Sequence, residues 1–420
     1  MFVVGAMCAA AACSSDADAE TDAETDAGAA TVEQVVDPVA TAPEATEAPV
    51  TTPVVTDTVG DRATTTAPAD TSTTTVPVPS YDFSAISPVV QSFVDAEGLN
   101  GAGLIVVDRD HGVIHEDYWG EFDADRISLV ASSSKMITAG VLLHLADQGL
   151  LDMDAPVAEV AEWGSGNPTI TPAQLVSNSS GLVGLLPDPG YGPYVCQFIA
   201  GGTIQECAAQ AFTTPDDDGD IVAPDTEYRY GGMQWQVAGA VAEVASGRSW
   251  AELIEEIYME PCGLDTLGYN NHFTQRQVGA NGFDYPTNFG ADPTTLLPTD
   301  NPNMEGGAYI TTGDYGKLLL MHLRDGRCGD TQVLSTAALE RSHSDRTGEV
   351  YDSPTGYGMG WWVDRESGRL TDPGAYGAVP WLDLEDGYGA YLVVEADSVT
   401  GLRLAAELYD IVDTAVTTPT

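Results

Sequence analysis

The stretch Ala131-Ser132-Ser133-Ser134-Lys135-Met136 decides how the rest of the chain is read. Ser132 and Lys135 are three apart, so on a helix they lie one turn apart on the same face. Met136, Ile137, Val141, Leu142 and Leu145 follow at the spacing of the apolar stripe of a buried amphipathic helix. A serine hydroxyl is a poor nucleophile until a base takes its proton. A lysine on a dry helix face, its charge disfavoured by desolvation, is such a base. The chain has two lysines, Lys135 and Lys317, and Lys317 has Asp314 rather than serine at that spacing. The serine–lysine pattern thus occurs once. For these letters alone, the plainer alternative is a polar helix start with a solvated lysine.

The 420 residues leave room for a non-globular segment beside one large domain or two smaller ones, and 43% hydrophobic residues suit a real core. With 15 Lys and Arg against 64 Asp and Glu, the net charge is −49. Nucleic acid and anionic membrane surfaces are therefore poor partners. Such acidity fits a secreted protein in salty water, where screening tames self-repulsion.

Phe2 to Ala12 is apolar or small, too short for a stable bilayer span, and ends Ala10-Ala11-Ala12-Cys13-Ser14-Ser15. It resembles the end of a bacterial lipoprotein signal peptide, which implies lipidation of Cys13, with ordinary secretion as the fallback. Beyond Cys8 and Cys13 remain Cys196, Cys207, Cys262 and Cys328, an even number that suggests disulfides in an exported chain. Cys196–Cys207, a short loop closure, and Cys262–Cys328 are the favoured pairs of three possible pairings. Zinc competes poorly, because no C-x-x-C pair and no nearby histidine pair exists.

Residues 1–13 thus read as a signal segment and 14–80 as an acidic Thr/Pro/Ala-rich tether, nearly without aromatics, that cannot bury a core. A folded domain over 81–420 follows. Ser87 to Ala96 reads as a helix ended by Gly98, and Ala102 to Asp108 with Val113 to Trp119 as a hairpin turning at Asp110-His111-Gly112. A mostly helical middle spans Asp152 to Asp345. Gly358 to Val363, Gly377 to Leu382 and Tyr388 to Glu395 read as strands, and Ser398 to Val412 as a closing helix. Strands at both ends around a helical insertion imply one antiparallel sheet flanked by terminal helices, with a helical subdomain beside it.

Leu129-Val130-Ala131-Ser132-Ser133-Ser134-Lys135, running on to Ala146-Asp147-Gln148-Gly149-Leu150-Leu151-Asp152, resembles the first motif of the serine β-lactamase and penicillin-binding-protein superfamily, in its class C and esterase branch. The resemblance covers most of Tyr81 to Val412. Thr169-Ile170-Thr171, Leu175 and Ser179-Ser180-Gly181-Leu182 match the next block, with Asn178-Ser179 where His-Thr is usual. Glu305-Gly306-Gly307 with Thr311, Thr312 and Asp314, and Gly356-Tyr357-Gly358-Met359-Gly360-Trp361, match later ones. The implied fold is α+β, of the β-lactamase/DD-peptidase type.

The family's second motif is Tyr-x-Asn, and Tyr228 and Tyr230 compete for it. In the family the tyrosine precedes a helix glycine by nine; that glycine is Gly239, which selects Tyr230 and puts Gly232 at the Asn position. Its third motif, Lys-Thr-Gly or His-x-Gly, falls on Asp372-Pro373-Gly374-Ala375. Gly374 keeps the close backbone approach to a ligand. The Ala375 and Ser132 amides are then implied to form the oxyanion hole. Asp372 replaces the cation, so the usual grip on a substrate carboxylate is missing or inverted, which favours a neutral ester or amide over β-lactams and acyl-D-Ala-D-Ala.

The resemblance therefore implies an exported serine hydrolase in which Ser132 attacks a carbonyl, Lys135 and Tyr230 move the proton, and an acyl-enzyme forms and hydrolyses. Which of the two is the base stays open. No metal and no organic cofactor is implied, and membrane contact runs only through Cys13. A slow-acylating penicillin-binding or sensor module is the alternative, because Gly232 and Asp372 replace two polar motif positions. An adhesive role for the tether is a third. No Gly-x-Ser-x-Gly elbow suggests an α/β-hydrolase, and the six histidines form no H-E-x-x-H pair.

Overall fold

Alternation along the first strand fixes the layers. The computed structural model describes residues 79–185, 191–213, 220–274, 285 and 292–418. The signal segment with Cys13, and all of the tether but residues 79 and 80, lie outside them. Helix α1 (Ile86–Glu97) leads into strands β1 (Gly101–Asp108) and β2 (Gly112–Gly120), the expected hairpin. In β1, Leu104 and Val106 point to one face and Ile105 and Val107 to the other, and all four are buried. A strand covered on both faces loses the polar alternation of a surface strand.

On one face α1 (Ile86, Val90, Phe93, Val94) and the closing helix Ser398–Thr417 (Leu404, Leu408, Val412) cover Leu104, Val106 and Trp381. On the other lies helix Thr312–Leu323, whose Tyr315 ring stacks on Tyr391 at 4.1 Å. Each fully buried aliphatic or aromatic side chain here stabilises the fold by about 1.5–3 kcal/mol before entropy is charged against it.

After β2 come β3 (Ile127–Leu129), β4 (Leu267–Tyr269), β5 (Ala308–Thr311), the small hairpin β6 (Arg327–Cys328) and β7 (Thr331–Gln332), then β8 (Trp362–Val363), β9 (Leu370–Thr371), β10 (Ala378–Asp383) and β11 (Tyr388–Val393). The main sheet runs β2-β1-β11-β10-β9-β8, antiparallel throughout, so the two ends of the chain meet at the β1–β11 pair. The expected single sheet from distant segments is present. The middle is not purely helical, however: β4 and β5 lie within it and join β3 in a second, three-stranded sheet.

The strand expected over Gly358–Val363 shrinks to Trp362–Val363. Gly360, at φ +84°, is packed so closely on the start of helix α2 (Lys135–Asp147) that a Cβ would lie 2.7 Å from Met136 Cα. Close packing against that helix, not ladder pairing, is what this Gly-Met-Gly pattern encodes.

Both favoured disulfides are present. Cys196–Cys207 ties the 3₁₀ segment Gly192–Phe198 to helix Ile204–Thr213, and Cys262–Cys328 ties a helix end to β6. Among the described residues, no helix is long and apolar enough to cross a membrane, and no cluster of His, Cys, Asp or Glu could hold a metal ion.

Candidate active site

Three serines stand in a row, and packing decides which one is free. Ala131–Ser134 is a 3₁₀ turn, whose three-residue period eclipses Ser132 with Lys135, the first residue of α2. The α-helical turn expected from sequence is thus a tighter one with the same consequence. Ser133 Oγ donates to the Asp372 carbonyl at 2.5 Å, and Ser134 Oγ donates to the Ala131 carbonyl at 2.6 Å while accepting from the Ala308 amide at 3.0 Å. Both are buried; Ser132 is part-exposed. Ala131 sits at φ +46°, a left-handed conformation that costs an L-residue about 1–2 kcal/mol. The neighbouring bond from the Val130 amide to the Ala308 carbonyl, at 3.0 Å, helps hold that strain.

Ser132 Oγ accepts two hydrogen bonds, from Lys135 Nζ at 3.0 Å and from the Tyr230 hydroxyl at 2.8 Å. Lys135 is fully buried, and its amine also donates to the Glu305 carbonyl at 3.0 Å and lies 3.5 Å from Glu305 Oε2. Those three acceptors match the three protons of an ammonium. The amine lies 4.7 Å from the centre of the Tyr230 ring.

Burial alone pushes the Lys135 amine down, as the sequence suggested. The acidic groups around it, Tyr230, Glu305 and Asp372, outweigh that and hold the amine above its usual range. Desolvation does not make this lysine neutral at rest, a correction to the expectation. Burial raises the Tyr230 phenol, against the pull of Lys135. The resting pair is therefore an ammonium beside a phenol, both donating to the serine oxygen.

Of the two competing tyrosines, Tyr230 reaches the serine. Tyr228 packs its ring against Tyr357 and Trp362, at 5.5 and 5.6 Å. The Tyr230 loop is pinned by its carbonyl accepting from the Leu185 amide at 2.7 Å, and by the Arg229 amide donating to the Asn178 carbonyl at 2.9 Å. Asn178, where the family has His, takes a left-handed conformation and accepts from Gln234 Nε2 and Trp235 Nε1 at the head of helix Met233–Ser246.

The departure at Gly232 has a spatial counterpart. A Cβ there would lie 2.1 Å from both Gln197 Oε1 and Glu305 Oε1, so these two side chains fill the space that an asparagine would need. Sequence reading placed Glu305 in a matching block but gave it no role, and it passed over Gln197. The sequence shows a missing amide at 232 and an acid three residues before β5, but only the fold brings the two together.

Gly374 meets the nucleophile's turn: a Cβ would lie 2.0 Å from the Val130 carbonyl. Ala375, half-buried, follows in the turn before β10. Among the described residues, neither the Ser132 nor the Ala375 amide has a hydrogen-bond acceptor. Asp372 does not face the cleft. It is fully buried, its Oδ2 accepts from the Met136 amide at 3.2 Å, and burial pushes its carboxyl well above the usual range against the pull of Lys135. An acid tucked under the nucleophile's helix supplies no cation and does not face the cleft, so the carboxylate grip is missing rather than inverted.

An aromatic ring flanks the site, and an apolar cluster packs against the nucleophile's turn. Half-buried Trp362 lies 5.6 Å from the Tyr230 ring, and Tyr376 with Ala375, Tyr309 and Leu296 packs beside Ala131.

A family profile described as Beta-lactamase matches residues 86–411. Penicillin-binding protein 4 of Amycolatopsis lactamdurans is 28% identical over 282 residues, 62% of this chain and 70% of that protein. The D-alanyl-D-alanine-carboxypeptidase/endopeptidase AmpH of Escherichia coli K12 is 23% identical over 347 residues, 76% of this chain and 86% of that one. The crystal structure of a putative beta-lactamase from Bacteroides dorei DSM 17855 superposes with a TM-score of 0.64 at 24% identity, over 80% of this chain and all of that one, and so shares the fold. With its matched blocks meeting around one serine, the chain belongs to the beta-lactamase family and is a hydrolase of that general kind.

Proposed function

We propose that the protein is an exported serine hydrolase that acts through an acyl-enzyme on a neutral ester or amide. One observation carries the reading: Ser132 Oγ receives hydrogen bonds from an amine and a phenol at 3.0 and 2.8 Å. With both lone-pair directions occupied, the serine proton is left to point away from the pair.

An ammonium and a phenol cannot accept a proton, so the reactive form has one proton fewer, shared between Lys135 and Tyr230. As Ser132 Oγ bonds to the substrate carbonyl carbon, the serine proton passes to that pair. The carbonyl oxygen takes up the negative charge between the Ser132 and Ala375 amides, donors worth about 2.7–4 kcal/mol each in comparable sites. On collapse, the bond to the leaving alcohol or amine breaks and the pair returns the proton to it. Water then attacks the serine ester by the same steps, releasing the acid.

The buried Asp372 and the half-buried Trp362 ring beside Tyr230 favour an uncharged, partly apolar substrate over one gripped by its carboxylate. The two disulfides and the acidic surface fit an oxidising exterior, with Cys13 as the lipid attachment point.

A fluorophosphonate probe tests the core of the reading: wild type should be labelled at Ser132 and Ser132→Ala should not. A nitrophenyl ester then distinguishes sustained turnover from a single burst. A burst without turnover would favour a slow-acylating sensor, which the loss of the cationic motif position also permits. Incorporation of labelled fatty acid in wild type but not in Cys13→Ala tests the anchor.

A further inference from the structure

Lys135 takes two of its three contacts from a single residue, Glu305, through the backbone carbonyl and the side-chain carboxylate. The loop that delivers Glu305 is clamped from two helices. Thr138 Oγ1 of α2 donates to the Met304 carbonyl at 2.9 Å, and Gln236 Oε1 of helix Met233–Ser246 accepts from the Met304 amide at 3.1 Å. The Met304 side chain fills the space above Gly239, where a Cβ would lie 2.4 Å from its sulfur. The Asn303 amide group donates to the Gln197 carbonyl at 3.0 Å. Glu305 Oε2 therefore faces the amine, and Oε1 points into the space beside Gly232 with Gln197 Oε1.

We infer that Glu305 is the positioning residue of this site: its carboxylate occupies the place of the second-motif amide, aims the Lys135 amine at Ser132, and requires glycine at 232. The inference rests on the hydrolase reading for its kinetic consequences, but not for its electrostatic one. The groups facing the amine are Ser132 on its own turn, Tyr230 and Trp235 from the loop and helix on one side, Glu305 on the other, and Asp372 from beneath. Among the described residues, Glu305 is the one acid paired with the amine, at 3.5 Å, so it is the carboxylate whose contact helps to hold the amine charged.

The full chain with its disulfides intact offers a direct test, because it has only two lysines. Nζ-¹⁵N lysine labelling gives two signals, assigned with Lys317→Arg. In Glu305→Gln, an isosteric change, the Lys135 signal should titrate about 1–3 pH units lower than in wild type. An unmoved titration overturns the inference, whatever the enzyme does.

The kinetic arm compares Glu305→Ala, Gly232→Asn and Glu305→Ala/Gly232→Asn. Each single variant should lose about 10²-fold in the rate of Ser132 labelling, as misplacement of a catalytic group does. The double variant should recover at least about tenfold of that loss, since the new asparagine fills the vacated space. Wild-type labelling rates in Glu305→Ala, or a double variant no faster than it, overturn the inference. Failure of wild type itself to be labelled would sink the hydrolase reading, while the lysine titration still decides the role of Glu305.

Discussion

His322 Nδ1 lies 2.9 Å from His343 Nε2, with His322 buried, His343 half-buried and the His322 ring edge-on to Trp361 at 5.4 Å. Burial pushes His322 well below its ordinary range, with the neighbouring ring adding to it, and pushes His343 down to about 4. An N–H of one neutral ring can donate to the other; two charged rings would repel.

This pair makes the fold sensitive to acid. The unfolded chain takes up these protons near pH 6.5 and the folded chain resists them, so stability is complete above that pH and declines below it. For His343 alone the loss should reach about 3 kcal/mol by pH 4. Urea midpoints between pH 7.5 and 4.5 check this, and His322→Leu/His343→Phe should flatten the slope. The carboxylates of Asp225 and Asp345, held low by Arg346 and Arg365 against the cost of burial, act in a separate window below their unfolded values.

The Ser132–Tyr230 contact predicts a pH profile. Both Lys135 and Tyr230 are raised, so the one-proton-poorer pair is scarce at neutrality and grows with pH. Ester kcat/KM should rise from pH 7 into the alkaline range. Tyr230→Phe should cut it by about 10²–10⁴, the usual weight of a proton carrier. Tyr228→Phe should leave most of it, and an equal loss in both variants would show that the wrong tyrosine has been assigned.

Asp372 should cost stability as pH rises. Its folded value is raised, so its favourable contribution is present below the unfolded carboxylate value and is lost as pH climbs through the folded one. Asp372→Asn should therefore melt higher than wild type at pH 8, with the advantage shrinking toward pH 4. A difference independent of pH would mean the carboxyl is not held neutral.

Gly374→Ala tests the approach of the third motif to the nucleophile. The added methyl meets the Val130 carbonyl, which is backbone and cannot swing aside. Overpacking of this kind costs about 1–3 kcal/mol, and the displaced Ala131–Ser132 turn should lose labelling out of proportion to the fall in melting temperature.

The long elements were legible in the sequence. Helix α1, the β1–β2 hairpin, strands β10 and β11 and the closing helix follow periodicity over enough residues to declare themselves, though the closing helix extends to Thr417. The three-stranded sheet was not, because Ile127–Leu129 and Leu267–Tyr269 are three residues each and carry no measurable period. At the site, Ser132 and Lys135 were readable from spacing, and Tyr230 from register against Gly239. The charge of Lys135 was misjudged because desolvation can be inferred from an apolar run, whereas three acidic neighbours from distant segments cannot. Whether Asp372 leaves the carboxylate grip missing or inverted stayed open for a related reason: a residue type at a motif position does not say which way its side chain turns.

The Cys196–Cys207 bridge closes an 11-residue interval next to Gln197, whose side chain helps fill the space at Gly232. A covalent staple thus borders the chemistry, not merely the scaffold. Produced in a thiol-rich cytosol, the protein should emerge folded but sluggish. Adding mild reductant to the oxidised protein should depress ester turnover while circular dichroism holds steady. An oxidising environment would then act as a licence for activity.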